Sequence, residues 1–118
     1  DKRKLPLIFS VNWFRKNIDG EWLWPGYGEN IRVLKWIFER CCGKTPALKT
    51  EIGYLPGIND IDCSGLNVGY ENMKELTSVN KEQWMKEINM IDEHFSQFNT
   101  LPEEIKKQFS SLKENFKL

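Results

Sequence analysis

The residues best suited to chemistry lie between Asn12 and Asn30, where aromatic side chains alternate with basic residues and glycines just ahead of a helix start. The flat faces of Phe14 and Tyr27 can hold a planar heterocycle, each stacked face contributing about 1–3 kcal/mol by analogy with single-strand nucleic-acid binders. Stacking does not choose a base. Selection needs donors and acceptors at the ring edge, and Asn30 carries both in one amide. The loop Pro25-Gly26-Tyr27-Gly28-Glu29-Asn30 opens the helix, where free backbone N–H groups and the positive end of the macrodipole favour anions or polar edges. A triphosphate cradle is a poor match. The loop has two glycines, no Walker-type lysine follows, and the Glu29 carboxylate repels phosphate. On these residues alone an aromatic minicore, a single-strand nucleic-acid binder and a base pocket all stay open.

No nucleophile with its base, no paired acid and base and no metal cluster is legible, so the chain by itself does not read as a complete enzyme. His94 is the only histidine and has no cysteine or second histidine near it in sequence, which excludes a zinc site. Three cysteines, two of them adjacent (Cys41 and Cys42) and the third at Cys63, do not make a secreted disulfide framework. No Asn-x-Ser/Thr acceptor occurs, in keeping with a reducing compartment. Cys41 and Cys42, at the end of an apolar helix, are expected to be small buried hydrophobes. Asn59-Asp60-Ile61-Asp62 invites a calcium reading. Gly65 falls one place late for the twelve-residue loop, however, and Tyr70 stands where its closing Glu belongs, so the stretch reads as a turn.

The elements that must position the aromatic segment follow from periodicity and breakers. The β-prone run from Leu5 to Phe14 reads as a largely buried strand. Asn17-Ile18-Asp19-Gly20 reads as a turn, and Glu21-Trp22-Leu23-Trp24 as a short returning strand that completes a hairpin. A helix is expected from Asn30 to Cys42 with Val33, Leu34, Ile37, Phe38 and Cys41 on its apolar face, closed by Gly43. Thr45 to Tyr70 is rich in Pro and Gly and reads as loops with one short strand near Lys49–Leu55. Trp84, Ile88, Ile91, Phe95 and Phe98 then step by three and four behind an Asn80/Gln83 capping box. Ile105, Phe109, Leu112 and Phe116 form a second stripe, with Thr100 as cap and Pro102 in the first turn. The fold class is therefore mixed α and β (α+β): an N-terminal hairpin and aromatic loop, one central helix, and two C-terminal helices as a helical hairpin.

Length and charge bound the partners. The 118 residues suit one domain without an internal division, and 17 Lys+Arg against 17 Asp+Glu give no net charge. This argues against a nucleic-acid coat or a polybasic membrane adaptor. Apolar runs such as Trp36-Ile37-Phe38 are too short to cross a bilayer. Neutrality is an average: residues 1–44 hold nine Lys/Arg against five acids, and residues 9–38 hold four of the five Trp. The basic, aromatic end is the one expected to meet a ligand. The chain opens Asp1-Lys2-Arg3-Lys4, with neither Met nor an apolar leader, and is expected to lack a signal peptide and to be a piece of something longer.

The string Val11-Asn12-Trp13-Phe14-Arg15-Lys16, Gly20, Leu23-Trp24-Pro25-Gly26-Tyr27-Gly28-Glu29-Asn30 and Arg32-Val33-Leu34 closely resembles the C-terminal region of GTP-dependent phosphoenolpyruvate carboxykinase. The likeness continues through Ile52-Gly53-Tyr54-Leu55-Pro56, Leu66-Asn67 and the Trp84 helix to the end of the chain. It implies that Phe14 and Tyr27 flank a guanine ring, Trp22 adds a wall, Asn30 bonds the guanine edge, Gly28 and Glu29 supply loop contacts, and Trp13 and Pro25 hold the pocket's shape. The family's usual residue at positions 22 and 27 is Phe. The resemblance further implies the reaction of oxaloacetate with GTP to phosphoenolpyruvate, GDP and CO2 in gluconeogenesis, by a monomeric cytoplasmic lyase or a mitochondrial form, without nucleic acid or membrane. Mn2+ and Mg2+ serve that reaction, and their ligands, like the catalytic residues, are expected upstream of Asp1, leaving this piece inactive alone. Two rival readings are a different phosphoryl donor (ATP, ITP or pyrophosphate) and a free-standing ligand-binding or interaction module.

Overall fold

A computed structural model describes residues 5–117 of the chain, so Asp1 to Lys4, part of the basic first third, lie outside the described residues. The chain forms two compact units, one made of the residues up to Leu48 with Leu55–Ser78, the other of Lys49–Tyr54 with the residues from Val79 onward.

The first unit is organised by aromatic burial. Helix α1 (Asn30–Cys41) buries Trp36, which joins Trp24, Ile61 and Met73 in one cluster. Phe9 meets Trp36 edge-on at 6.2 Å, a geometry in which a positive ring edge approaches a negative face, and Trp13 lies tilted 6.5 Å from Trp24. The helix ends as its sequence dictates. Gly43 takes φ 68° and donates to the Arg40 carbonyl, while the Lys44 amide reaches back to Glu39 at 2.8 Å, which together make a Schellman closure. A short helix α2 (Tyr70–Leu76), not among the expected elements, contributes Met73 to the core. Seven residues give two turns, too few for a periodicity signal.

The expected N-terminal hairpin is reduced to its turn end. Leu5 to Asn12 adopt no strand and Leu5, Leu7 and Ile8 stand exposed; the antiparallel bridge Lys16–Trp22 is flanked by bonds from the Leu23 amide to Arg15 O and from the Asn17 amide to Glu21 O. A β-prone run becomes a strand only when a neighbour accepts its backbone hydrogen bonds, and none lies beside it among the described residues. The buried face of α1 differs in part from expectation. Val33 and Ile37 turn inward as expected and Trp36 joins them, whereas Leu34, Phe38 and Cys41 are exposed, as is Cys42. The large indole of Trp36 decides the rotation, because burying it removes more apolar surface than Leu34 and Cys41 would.

The second unit follows the periodicity at Trp84, Ile88, Ile91, Phe95, Phe109, Leu112 and Phe116, whereas Phe98 and Ile105, expected in the same stripes, stand exposed because each lies at the open end of its helix. Strands β1 (Leu48–Thr50) and β2 (Gly53–Leu55), which straddle the unit boundary, form a two-stranded hairpin where one strand was expected, and the Thr50 hydroxyl donates to Gly53 O at 2.7 Å. Helix α3 (Lys81–Ser96) is capped by Asn80, whose side chain accepts from the Gln83 amide at 3.0 Å. Helix α4 (Glu103–Asn115) returns antiparallel to it. Trp84 stacks on Phe116 at 6.0 Å, Phe95 meets Phe109 at 5.3 Å, and Lys113 pairs with Asp92 at 3.1 Å. The start of α4 corrects the expectation for Thr100: Pro102 occupies the cap position and no side chain caps the helix. Asn115 donates to Glu51 O at 2.9 Å and ties the helical pair to the β turn.

Candidate functional site

The aromatic segment is built by side chains that replace missing backbone partners. Asn12 Oδ1 accepts from the Phe14 amide at 3.0 Å and sets the bend that presents Phe14. Asn17 does more. Its Oδ1 accepts from the amides of Asp19 and Glu21, and its Nδ2 donates to the Glu21 carboxylate, so one side chain closes the turn to Trp22. Phe14 and Trp22 then meet edge-to-face at 5.9 Å, and Lys16 Nζ sits 4.2 Å above the Trp22 ring. Gly26, at φ 118°, is in a region barred to side chains, and it turns the chain into the short 3-10 segment Tyr27–Glu29 that leads into α1.

Around Asn30 the contacts are polar. Its Oδ1 accepts from the Trp24 indole N–H at 2.9 Å, and its backbone N–H donates to Tyr27 O. Glu29, read from sequence as a free repelling carboxylate, is bonded to Arg32 Nε at 2.7 Å. That bond raises the guanidinium above its already high pKa. Arg32 Nη1 also donates to Asp62 O at 2.8 Å, linking the start of α1 to the 60–64 turn.

The sequence-selected residues thus fall into four groups. Phe14 and Trp22 are in mutual contact and exposed. Trp13 and Asn30 are each linked to Trp24, the first by its ring and the second by a hydrogen bond. Tyr27 is 92% exposed, and no ring pair joins it to Phe14 or Trp22 among the described residues. Pro25 and Gly28 are exposed, and Glu29 is half-buried. Trp24 and Arg32 were not singled out from sequence as site residues. Only the pairing of a donor-only indole with an amide six residues later would have shown Trp24, and spacing does not reveal such a pairing.

The acidic stretch is a turn, as expected. Asp60 accepts from the Gly57 amide at 2.7 Å, and Asp62 Oδ1 accepts from both the Ser64 hydroxyl and amide, at 2.6 and 2.9 Å. Among the described residues no three His, Cys, Asp or Glu side chains converge to hold a metal. The bonds from Ser64 lower the Asp62 pKa below its ordinary value of 3.8. The stabilisation from this depressed group is complete above pH 3.8 and is lost as pH falls through the lower, folded-state value. Following the Ser64 amide by NMR should therefore give a midpoint below 3.8; a midpoint at or above that value would show that the Ser64 bonds do not form in solution. Beside this turn lies a cavity of about 390 Å³ lined in part by Ile61, Asp62, Cys63, Val68 and Met73, which shares no residue with the aromatic segment. Burial pushes the Cys63 thiol pKa up, which keeps it protonated.

Comparison with known proteins gives a consistent result. The family described as phosphoenolpyruvate carboxykinase C-terminal P-loop domain matches residues 1–115. The chain is 46% identical over 104 residues to phosphoenolpyruvate carboxykinase [GTP] of Thermoplasma volcanium, covering 88% of this chain and 17% of that protein. It is 46% identical over 116 residues to the Chlamydia pneumoniae protein of the same name, covering 97% and 19%. To the cytosolic [GTP] enzyme of Gallus gallus it is 47% identical over 116 residues, covering 97% and 18%. The chain spans less than a fifth of the length of these relatives.

Proposed function

Because the chain belongs to the GTP-dependent phosphoenolpyruvate carboxykinase family, we propose that its 118 residues are the C-terminal part of the nucleotide-binding domain of such an enzyme, and that they hold the guanine of its GTP. The observation that carries this reading is Asn30 at the first position of α1, its amide anchored by a buried indole and its remaining hydrogen-bonding capacity unused among the described residues. The exposed rings of Phe14, Trp22 and Tyr27 support it as stacking surfaces, with Trp13 and Pro25 shaping the wall and Gly28 and Glu29 the loop.

The whole enzyme would convert oxaloacetate and GTP to phosphoenolpyruvate, GDP and CO2, as a monomeric cytoplasmic lyase of gluconeogenesis. Mn2+ and Mg2+ would neutralise charge on the transferring phosphoryl group, and among the described residues no cluster of His, Cys, Asp or Glu offers them a site. Its own residues bind and orient. A base held far from the reacting phosphoryl group contributes binding energy that positions the triphosphate, and none of these residues is a catalytic one. Without the rest of the enzyme the segment would be inactive.

Phe14→Ala or Tyr27→Ala in the complete enzyme should raise KM for GTP by roughly 5- to 150-fold, as loss of about 1–3 kcal/mol of stacking implies, and leave KM for oxaloacetate nearly unchanged. Steady-state kinetics decide it. A larger rise for oxaloacetate than for GTP would count against stacking. Lys16 above Trp22 favours a second reading, since a cation beside the ring suits a donor with more charge than base, such as pyrophosphate. Assays with GTP, ITP, ATP and pyrophosphate separate the two.

A further inference from the structure

An asparagine amide is a poor discriminator by itself. Guanine offers an acceptor at O6 beside a donor at N1–H, adenine offers a donor at N6 beside an acceptor at N1, and a 180° turn of the amide lets it pair with either edge. Something must fix which end is oxygen. Trp24 is 5% exposed, and its indole nitrogen can only donate, so the amide atom 2.9 Å away is necessarily the oxygen of Asn30. Turning the amide over would set an N–H against an N–H and leave a buried donor without a partner. The ring cannot move away readily, since it is packed in the Trp24–Trp36–Ile61–Met73 cluster and against Trp13. The backbone of Asn30 is held as well, through its bond to Tyr27 O and the neighbouring Glu29–Arg32 pair.

We propose that Trp24 is a positioning residue that gives the site its base preference, by locking the Asn30 amide with Nδ2 donating and Oδ1 retaining one lone pair toward the ligand. The proposal rests on Asn30 meeting the base, and it adds the reason why that contact selects a 6-oxopurine over adenine. ITP, which keeps O6 and N1–H, is treated like GTP.

The test uses the complete enzyme with GTP, ITP and ATP as phosphoryl donors. Trp24→Phe keeps an aromatic ring and deletes the N–H. The ratio of kcat/KM for GTP over ATP is expected to fall about tenfold, the worth of one hydrogen bond, with ITP following GTP. Equal losses for all three donors, with the ratio unchanged, would show a merely structural role and overturn the proposal. If Trp24→Phe does not fold, a benzothienylalanine at position 24, which keeps the indole shape with sulfur in place of N–H, gives the same reading. In an Asn30→Ala background Trp24→Phe should leave the ratio unmoved; a further fall would overturn the route through Asn30. Asn30→Ala alone distinguishes the two levels. If it leaves the ratio intact, the base-binding reading itself fails, whereas a fall with Asn30→Ala and none with Trp24→Phe overturns the Trp24 lock only.

Discussion

Asn30→Ala in the complete enzyme is expected to lower the GTP-over-ATP ratio of kcat/KM by about 10- to 100-fold, chiefly through loss of activity with GTP. The magnitude follows from removing one or two hydrogen bonds of about 0.5–1.5 kcal/mol each and leaving polar edge atoms of a stacked base unpaired. The effect is directional because alanine treats both purines alike. The fold should survive, since Asn30 is only half-buried at the outset of α1. Its loss does leave the Trp24 indole N–H without a partner. Competition between GTP and ATP in a single reaction measures the ratio directly. A ratio within twofold of the parent would remove Asn30 from base recognition.

Trp36→Ala should have the largest effect on stability, about 3–5 kcal/mol, the usual cost of emptying a buried large aromatic site. Trp36 is 4% exposed at the centre of the first unit's cluster, with Phe9 edge-on to it. Against a typical stability of 5–15 kcal/mol, that loss would unfold the unit or leave it marginal. Trp36→Phe should cost far less. Among the described residues the buried indole Nε1 of Trp36 has no hydrogen-bond partner, a burden of about 1–3 kcal/mol that phenylalanine lacks. Denaturant unfolding of the complete enzyme, read by near-ultraviolet circular dichroism, should rank parent, Phe and Ala in that order. Equal losses for Phe and Ala would mean that the indole N–H finds an acceptor in solution.

These two positions illustrate what was legible in advance. The rings and amide of the expected site, Phe14, Trp22, Tyr27 and Asn30, were chosen from sequence, as were the stacking and edge-pairing chemistry assigned to Phe14, Tyr27 and Asn30. Trp24, which orients that amide, and Asn17, which closes the turn, stood only as members of a motif and of a turn signal. The end of helix α1 is legible within one residue, and Val33 and Ile37 of its expected face turn inward, but Trp36 takes the place of Leu34, Phe38 and Cys41, which satisfy the three-and-four spacing equally well. Periodicity identifies that a stripe exists; side-chain volume decides which stripe turns inward.

What the sequence by itself determined is therefore whatever rests on local chemistry. The glycine closure after α1, the Asn80 cap, the stripes of α3 and α4, and the turn at Asp60–Ser64 each depend on residues a few positions apart. The family, too, was carried by contiguous motifs. Tertiary structure alone decided that the Leu5–Asn12 run forms no strand pairing among the described residues, that Cys41 and Cys42 face solvent, and that Arg32 bridges Glu29 to the Asp62 carbonyl. It also decided which end of the Asn30 amide is oxygen. Each of these depends on a partner brought near by folding, and a hydrogen bond or a buried surface has no energy until that partner is in place.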